Sequence, residues 1–334
     1  MSQPRTPYAP AAERYHDRHY RPLGRSGLRL PPLSLGLWHN FGDDTPLARQ
    51  RAILHAAFDA GITHFDLANN YGVPYGSAES NLGRLLREDF AGLRDELLIS
   101  TKAGWDMWPG PYGQGGSSRK YLLASLDQSL QRLGLDYVDI FYSHRFDPDT
   151  PLEETADALA STVQQGKALY VGISSYNAEQ AARIAALLDA RGVPLRVQQP
   201  VYNLLRRDIE HDGLLAGAEA RGTGVVVYSP LAQGLLSGRY RDGIPSDSRI
   251  GRGSAYLPAS ALDGPLQARL ERWSEVARER GQSLAQLALA WVLRDPRITS
   301  LLVGVSRVEQ LQENLDALKQ PTFSDAELAR LSLD

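Results

Sequence analysis

Eight short apolar runs, each giving way to a polar turn, set what this chain can fold into. They begin near Leu33, Thr63, Leu97, Tyr137, Ala168, Leu195, Gly224 and Thr299. Between them, apolar residues recur at helical spacing over 46–60, 79–87, 119–133, 151–165, 178–190, 211–221, 284–293 and 307–318. Strand-length runs alternating with helix-length stretches are the pattern of parallel βα units. Eight units, and no Gly-x-Gly-x-x-Gly after the first run, favour an α/β fold of the closed (β/α)8 TIM-barrel type over an open doubly wound sheet. Gly24-Arg-Ser-Gly27, between His19 and Pro32, is a turn signal that predicts an N-terminal β-hairpin. Residues 1–18 are polar and Pro-rich and are expected to be loosely ordered, with 19–334 as one barrel domain.

Helix starts carry their own marks. Thr45-Pro46 and Thr150-Pro151 suggest a capping hydroxyl before a proline at the first helical position. Thr150…Glu153, Ser283…Gln286, Ser306…Glu309 and Ser324…Glu327 have capping-box spacing, and extra helices are expected besides the eight. Two segments break the rhythm, 104–117 after the third run and 229–266 after the seventh. Both are expected as long functional loops at the barrel mouth.

Lys+Arg number 36 and Asp+Glu 39, a net charge of −3, so no basic field argues for nucleic acid. Cysteine is absent, which excludes disulfides and thiolate chemistry. No run reaches the roughly 18 apolar residues of a membrane span, and no signal-peptide core stands at the start, so a soluble cytoplasmic protein is expected. Neither an HExxH nor an acidic calcium loop is present, and no metal is expected.

Three successive runs end in chemistry-bearing residues: Asp66, Lys102 and His144, with Tyr71 five positions after the aspartate. In a barrel, reactive groups gather at the carboxyl ends of the strands, so these four should share one mouth. A carbonyl that accepts hydride becomes an alkoxide and needs a proton. Tyr71 would supply it, with its phenol brought below the usual value of about 10 by the Lys102 ammonium. Asp66 would hold that ammonium, and a His144 ring N–H would orient and polarise the carbonyl oxygen. Each residue alone also has a structural reading, as a salt bridge, a loop hydrogen-bonder or a core histidine. Four at the ends of three neighbouring strands point to a site.

The runs Asp66-Leu-Ala-Asn-Asn-Tyr71-Gly72, Ser100-Thr-Lys102 and Tyr142-Ser-His144 resemble the aldo-keto reductases. So do Val171-Gly-Ile-Ser-Ser175, Gln199-Pro-Val-Tyr-Asn203, Tyr228-Ser-Pro-Leu231 and Gly304-Val-Ser-Arg307…Gln310…Glu313-Asn314, in family order over about 19–332. The run Ser34 to Gly42, the 104–117 loop and Leu231-Ala-Gln-Gly-Leu-Leu-Ser-Gly238 resemble the branch shared with potassium-channel β subunits. The resemblance implies NADPH-dependent reduction of a small aldehyde, with L-glyceraldehyde 3-phosphate and methylglyoxal as candidates. It also admits a cofactor-sensing regulatory subunit, and it implies a homo-oligomer, tetramer or octamer. By position, Ser174, Ser175 and Gln199 would hold the carboxamide of NADPH/NADP+, and Tyr228 would lie on the nicotinamide. Trp38, Ser229, Leu231, Gln233, Gly234, Arg239 and Arg249 would wrap the rest of the dinucleotide toward its pyrophosphate. Gly304, Ser306, Arg307, Gln310, Glu313 and Asn314 would hold the adenosine end. Ser306 reads as the N-cap of the final barrel helix, and a helix N-terminus beside Arg307 is a natural anion site. Trp38, Trp105 and Trp108 are candidates to wall the substrate pocket. Arg145 is either a phosphate-holding residue or a rim salt bridge. A lyase with a Schiff base on Lys102 is the reading from another class.

Overall fold

The computed structural model describes all residues except 1–6, 17–18, 241–242, 247–249, 252, 254–256, 259, 261 and 334. A two-residue-per-strand hairpin comes first: β1 (Arg21–Pro22) runs antiparallel to β2 (Arg29–Leu30), with Arg21 opposite Leu30. Eight parallel strands follow: β3 (Leu33–Gly36), β4 (His64–Asp66), β5 (Leu98–Ala103), β6 (Val138–Ser143), β7 (Ala168–Ser174), β8 (Val197–Gln199), β9 (Gly224–Val227) and β10 (Ile298–Val303). Each pairs with its neighbour in sequence, and β10 returns to pair with β3, closing the barrel. All eight apolar runs are therefore barrel strands.

The helices are α1 (Leu47–Asp59), α2 (Ser77–Asp89), α3 (Arg119–Leu133), α4 (Leu152–Gln164), α5 (Ala178–Asp189), α6 (Leu214–Arg221), α7 (Gly264–Glu279), α8 (Leu284–Leu293), α9 (Val308–Asp316) and α10 (Asp325–Arg330). Eight of them occupy the stretches read as helical. The ninth, α10, starts at the Ser324 capping box, which forms, as does the one at Ser283. The tenth, α7, is a further extra helix, at a position the sequence did not mark: it follows directly on the segment read as loop. Asp263 caps it, its carboxylate accepting from the Leu266 N–H at 2.8 Å. Leu266, Leu270, Trp273, Val276 and Ala277 make its buried face.

Both prolines sit one place outside their helices. Pro46 and Pro151 are themselves the N-caps, in extended conformation, and neither threonine caps. The Thr150 hydroxyl goes to Asp147 Oδ2 instead, at 2.6 Å, because Asp147 lies within reach across the turn. Ser306 is likewise not the cap of α9, since Arg307 takes that place. Its N–H and hydroxyl both go to Gln310 Oε1, at 2.9 and 3.0 Å.

Strand parity divides the apolar residues into two cores, because successive side chains point to opposite faces. Leu33, Leu35, Phe65, Ile99, Phe141, Val171 and Ile173 face outward and pack against the helices. Leu98, Ile140, Tyr142, Val197, Val226 and Leu302 face inward and fill the barrel. Leu23 and Leu30 from the hairpin join this inner core. Near the amino end, the Tyr8 ring stacks on His55 at 3.7 Å, and its hydroxyl donates to Asp59 Oδ1 at 2.7 Å. Arg14 pairs with Glu96 at 2.6 Å. Among the described residues no helix is long and apolar enough to cross a membrane.

Candidate active site

The same parity builds the site. Asp66 on β4 and Lys102 on β5 are inward positions, and both are buried. The Lys102 ammonium donates to Asp66 Oδ2 at 2.5 Å and to the Leu67 carbonyl at 2.6 Å. The other carboxylate oxygen accepts from Ser100 Oγ at 2.6 Å and from Gln199 Nε2 at 3.2 Å. Burial lowers the Lys102 pKa, and the Asp66 charge opposes that shift. A Schiff-base lysine needs a free, reachable amine; this one is 0% exposed and committed to two acceptors.

Tyr71 and His144 lie above the pair. Lys102 Nζ is 5.0 Å from the centre of the Tyr71 ring, and the Tyr71 and His144 rings meet edge-on with centroids 5.8 Å apart. All four expected residues therefore come together. The phenol differs from expectation. Burial, then the charge of Asp66 and the neighbouring Tyr228, hold its pKa well above the ordinary value. The ammonium that should have lowered it is closer to Asp66 than to the phenol ring. Tyr71 is thus a protonated phenol across the neutral range. Burial, then the positive charges of Lys102 and Arg145, hold the His144 imidazole well below its usual value, so the ring is neutral. Its Nδ1 is buried without a hydrogen-bond partner among the described residues.

Aromatic rings wall the mouth. The Trp38 ring is 5.9 Å from that of Tyr71, and Trp105 is edge-on to His144 at 6.4 Å. Trp108 turns away and packs on Tyr121 at 5.2 Å. Arg145 stacks over Trp105 at 4.4 Å, and its Nε donates to the Gly104 carbonyl at 2.7 Å. The rim salt bridge is not realised: among the described residues no carboxylate pairs with Arg145.

Of the residues expected around a dinucleotide, Ser174 and Gln199 end β7 and β8, and Tyr228 directly follows β9. Ser174 Oγ donates to the Gln199 carbonyl at 2.9 Å, and Ser175 Oγ lies 3.2 Å from the Tyr228 hydroxyl. Ser175, Ser229, Ala232 and Gln233 all have left-handed backbone, with φ of 58°, 53°, 47° and 60°. Such conformations cost energy in non-glycine residues and cluster where a ligand is held. Ala232, Gln233 and Gly234 are left-handed in succession, next to Leu231. Glycines 36 and 304 stand at the ends of β3 and β10. A Cβ at Gly304 would meet only the Gly36 carbonyl, at 3.8 Å, so the floor there is bare backbone facing open space. Arg239 and Arg307 are exposed, Asn314 is buried, and the Glu313 carbonyl accepts from Gln286 Nε2 at 3.2 Å. Arg249 lies outside the described residues. Bare glycine backbone and a left-handed turn suit an extended, phosphate-bearing ligand. Sequence reasoning gave Ser100 no role of its own, although its inward parity with Lys102 was legible.

A model of the Aldo/keto reductase family matches residues 32–332. The chain belongs to the aldo/keto reductase family. It is 61% and 60% identical to the L-glyceraldehyde 3-phosphate reductases of two strains of Escherichia coli, each over 323 residues that cover 96% of this chain and 93% of theirs. It is 39% identical to a probable voltage-gated potassium channel subunit beta of Oryza sativa subsp. japonica, over 90% of both chains. This aldo/keto reductase is therefore an oxidoreductase, and the lyase reading of Lys102 is set aside.

Proposed function

We propose that this reductase converts small aldehydes to alcohols at the Tyr71 site, with L-glyceraldehyde 3-phosphate as its first substrate and methylglyoxal as a second. The observation that carries the reading is the meeting of a protonated phenol, a neutral imidazole and a buried ion pair at one barrel mouth. NADPH, when bound, supplies the hydride. Tyr71 donates its phenolic proton to the developing alkoxide. The Lys102 ammonium lies beside the phenol, where it stabilises the phenolate left behind, and Asp66 keeps that ammonium charged and in place. A neutral His144 gives a ring N–H to the carbonyl oxygen and orients it. Trp38 and Trp105 exclude water from the carbonyl, and Arg145 holds the substrate phosphate with the guanidinium nitrogens not engaged with Gly104.

For the cofactor, Ser174, Ser175 and Gln199 hold the carboxamide and Tyr228 the ring. Ser229, Leu231, Gln233, Gly234, Arg239 and Arg249 hold the pyrophosphate; Gly304, Ser306, Arg307, Gln310, Glu313 and Asn314 hold the adenosine end. The preference for NADPH rests on Arg307 at the start of α9, where the extra phosphate would sit. We read the protein as a cytoplasmic homo-oligomer.

The test is NADPH consumption with L-glyceraldehyde 3-phosphate, its D isomer and methylglyoxal side by side. Multiple turnover on the L isomer is the expected result. Likeness to a channel β subunit supports a second reading, a cofactor-sensing regulatory subunit. That reading predicts little beyond one equivalent of NADPH oxidised with aldehyde in excess.

A further inference from the structure

His64 is 0% exposed, two residues before Asp66 on β4, and has no part in the chemistry just described. Both of its ring nitrogens are nevertheless engaged. Nε2 is 2.9 Å from Ser100 Oγ, and Nδ1 is 2.9 Å from Ser34 Oγ. Ser34 Oγ is 2.7 Å from Ser300 Oγ, which also lies 3.3 Å from the Pro32 carbonyl. At the other end, Ser100 Oγ is 2.6 Å from Asp66 Oδ1. The four residues come from β10, β3, β4 and β5, which are consecutive around the barrel, and all four are fully buried.

The direction of this chain is forced, link by link. An ionised carboxylate only accepts, so the single hydroxyl hydrogen of Ser100 goes to Asp66. Ser100 Oγ must then accept from His64, which puts a hydrogen on Nε2. A neutral imidazole carries one N–H, so Nδ1 accepts from the Ser34 hydroxyl. Ser34, its hydrogen used, accepts from Ser300, whose single hydroxyl hydrogen then goes to Ser34 Oγ at 2.7 Å rather than to the Pro32 carbonyl at 3.3 Å. Burial pushes the His64 imidazole down to about 4, with Lys102 adding to the shift and Asp66 opposing it, so the ring is neutral at pH 7 as the chain requires. These two are the charged groups that act on it; β3 and β10 present the serine hydroxyls of Ser34 and Ser300.

We propose that Ser300, Ser34, His64 and Ser100 form a one-way hydrogen-bond relay that ends on Asp66 Oδ1 and holds the carboxylate where Oδ2 grips Lys102. His64 is then a positioning residue, acting on Tyr71 through Asp66 and Lys102. Aligned donors strengthen one another in a low-dielectric interior, and every one of them here points toward the same anion. The remaining bond to Oδ1, from Gln199 at 3.2 Å, is longer and comes from one side only. The kinetic consequence rests on the proposed reduction; the relay itself does not.

Two measurements test it. Long-range 1H–15N correlation on histidine-labelled protein without cofactor reads the tautomer, with His64→Gln identifying the signal. A neutral ring with hydrogen on Nε2 at pH 7 is expected; hydrogen on Nδ1, or a protonated ring, overturns the relay. This arm holds whether or not the chain reduces an aldehyde, so a failed assay counts against the proposed function alone. The second arm is steady-state kinetics on Ser100→Ala and His64→Leu. Each is expected to lower kcat by about tenfold or more, equivalent to about 1.4 kcal/mol, and to displace the kcat–pH midpoint, with the aldehyde KM little changed. His64→Gln, which keeps an N–H for Ser100, should recover most of the loss. If folded Ser100→Ala has wild-type kcat and pH profile and only a lowered melting temperature, His64 and Ser100 are filler and the proposal fails.

Discussion

Gly172 on β7 faces the Tyr142 ring so closely that a Cβ would fall 2.5 Å from Tyr142 Cδ1. It would also meet Val197 Cγ1 at 2.7 Å. The missing side chain makes room for a ring that sits inside the barrel, 5.7 Å from Lys102 Nζ.

Gly172→Ala should therefore overpack the inner core. A loss of about 1–3 kcal/mol is expected by urea unfolding. Because the displaced ring lies against Lys102, kcat should fall as well. An unchanged kcat would mean that Tyr142 moves away from the pair.

Removing one partner of the buried pair leaves an uncompensated charge. Lys102→Met is expected to cost about 3–5 kcal/mol of stability, and Asp66→Asn in the same chain should restore part of it. Urea denaturation of the single and double variants measures both.

Tyr71 should stay protonated far into alkali, since burial and Asp66 raise its pKa. The sign follows: the unfolded chain ionises this phenol near 10 and the folded chain does not, so its contribution to stability is lost as pH rises through that range. Subtracting the alkaline ultraviolet titration of Tyr71→Phe from that of wild type should leave no tyrosinate signal below pH 10. The same variant should lose about 10²–10⁴-fold in kcat, the usual worth of a positioned acid, while NADPH affinity holds.

His64 works in the opposite range. Its folded pKa of about 4 lies below the unfolded value of 6.5, so the unfolded state takes up a proton first as pH falls. Stability is full above 6.5 and declines toward 4. Between pH 6.5 and 5 the loss from this group alone is about 2 kcal/mol, at 1.36 kcal/mol per unit. Urea midpoints of wild type and His64→Gln at the two pH values isolate it, with the variant losing less.

The segment around Tyr8 should matter to the barrel. Tyr8→Ala removes the stack on His55 and the bond to Asp59. A destabilisation of about 1–2 kcal/mol is expected, visible as faster proteolysis near residue 8.

The barrel was legible because its signal is carried by many residues at once: eight strand runs and eight helical stretches leave few ways to close. Asp66, Lys102 and His144 were legible because they end three such runs. What the chain hid depends on which of two neighbours a side chain chooses. Thr150 could cap α4 or reach Asp147, and Ser306 could cap α9 or reach Gln310; spacing alone does not decide. The helix α7 carries its buried positions 266, 270, 273 and 277 among arginines and glutamates, and the proline- and glycine-rich stretch before it masked the period. The Tyr71 phenol turned the other way because sequence puts a lysine near it but does not show its burial, which together with the charge of Asp66 raises its pKa.

The two cores are separated by a wall one backbone thick. Odd and even positions of one strand therefore answer to different masters: Ile99 and Thr101 to the helical jacket, Leu98, Ser100 and Lys102 to the reacting centre. A lineage, or an engineer, can alter the pocket on every second residue of these strands without touching the helix-facing core, provided the inner packing is kept, whereas a slip of one position would exchange the two texts entirely.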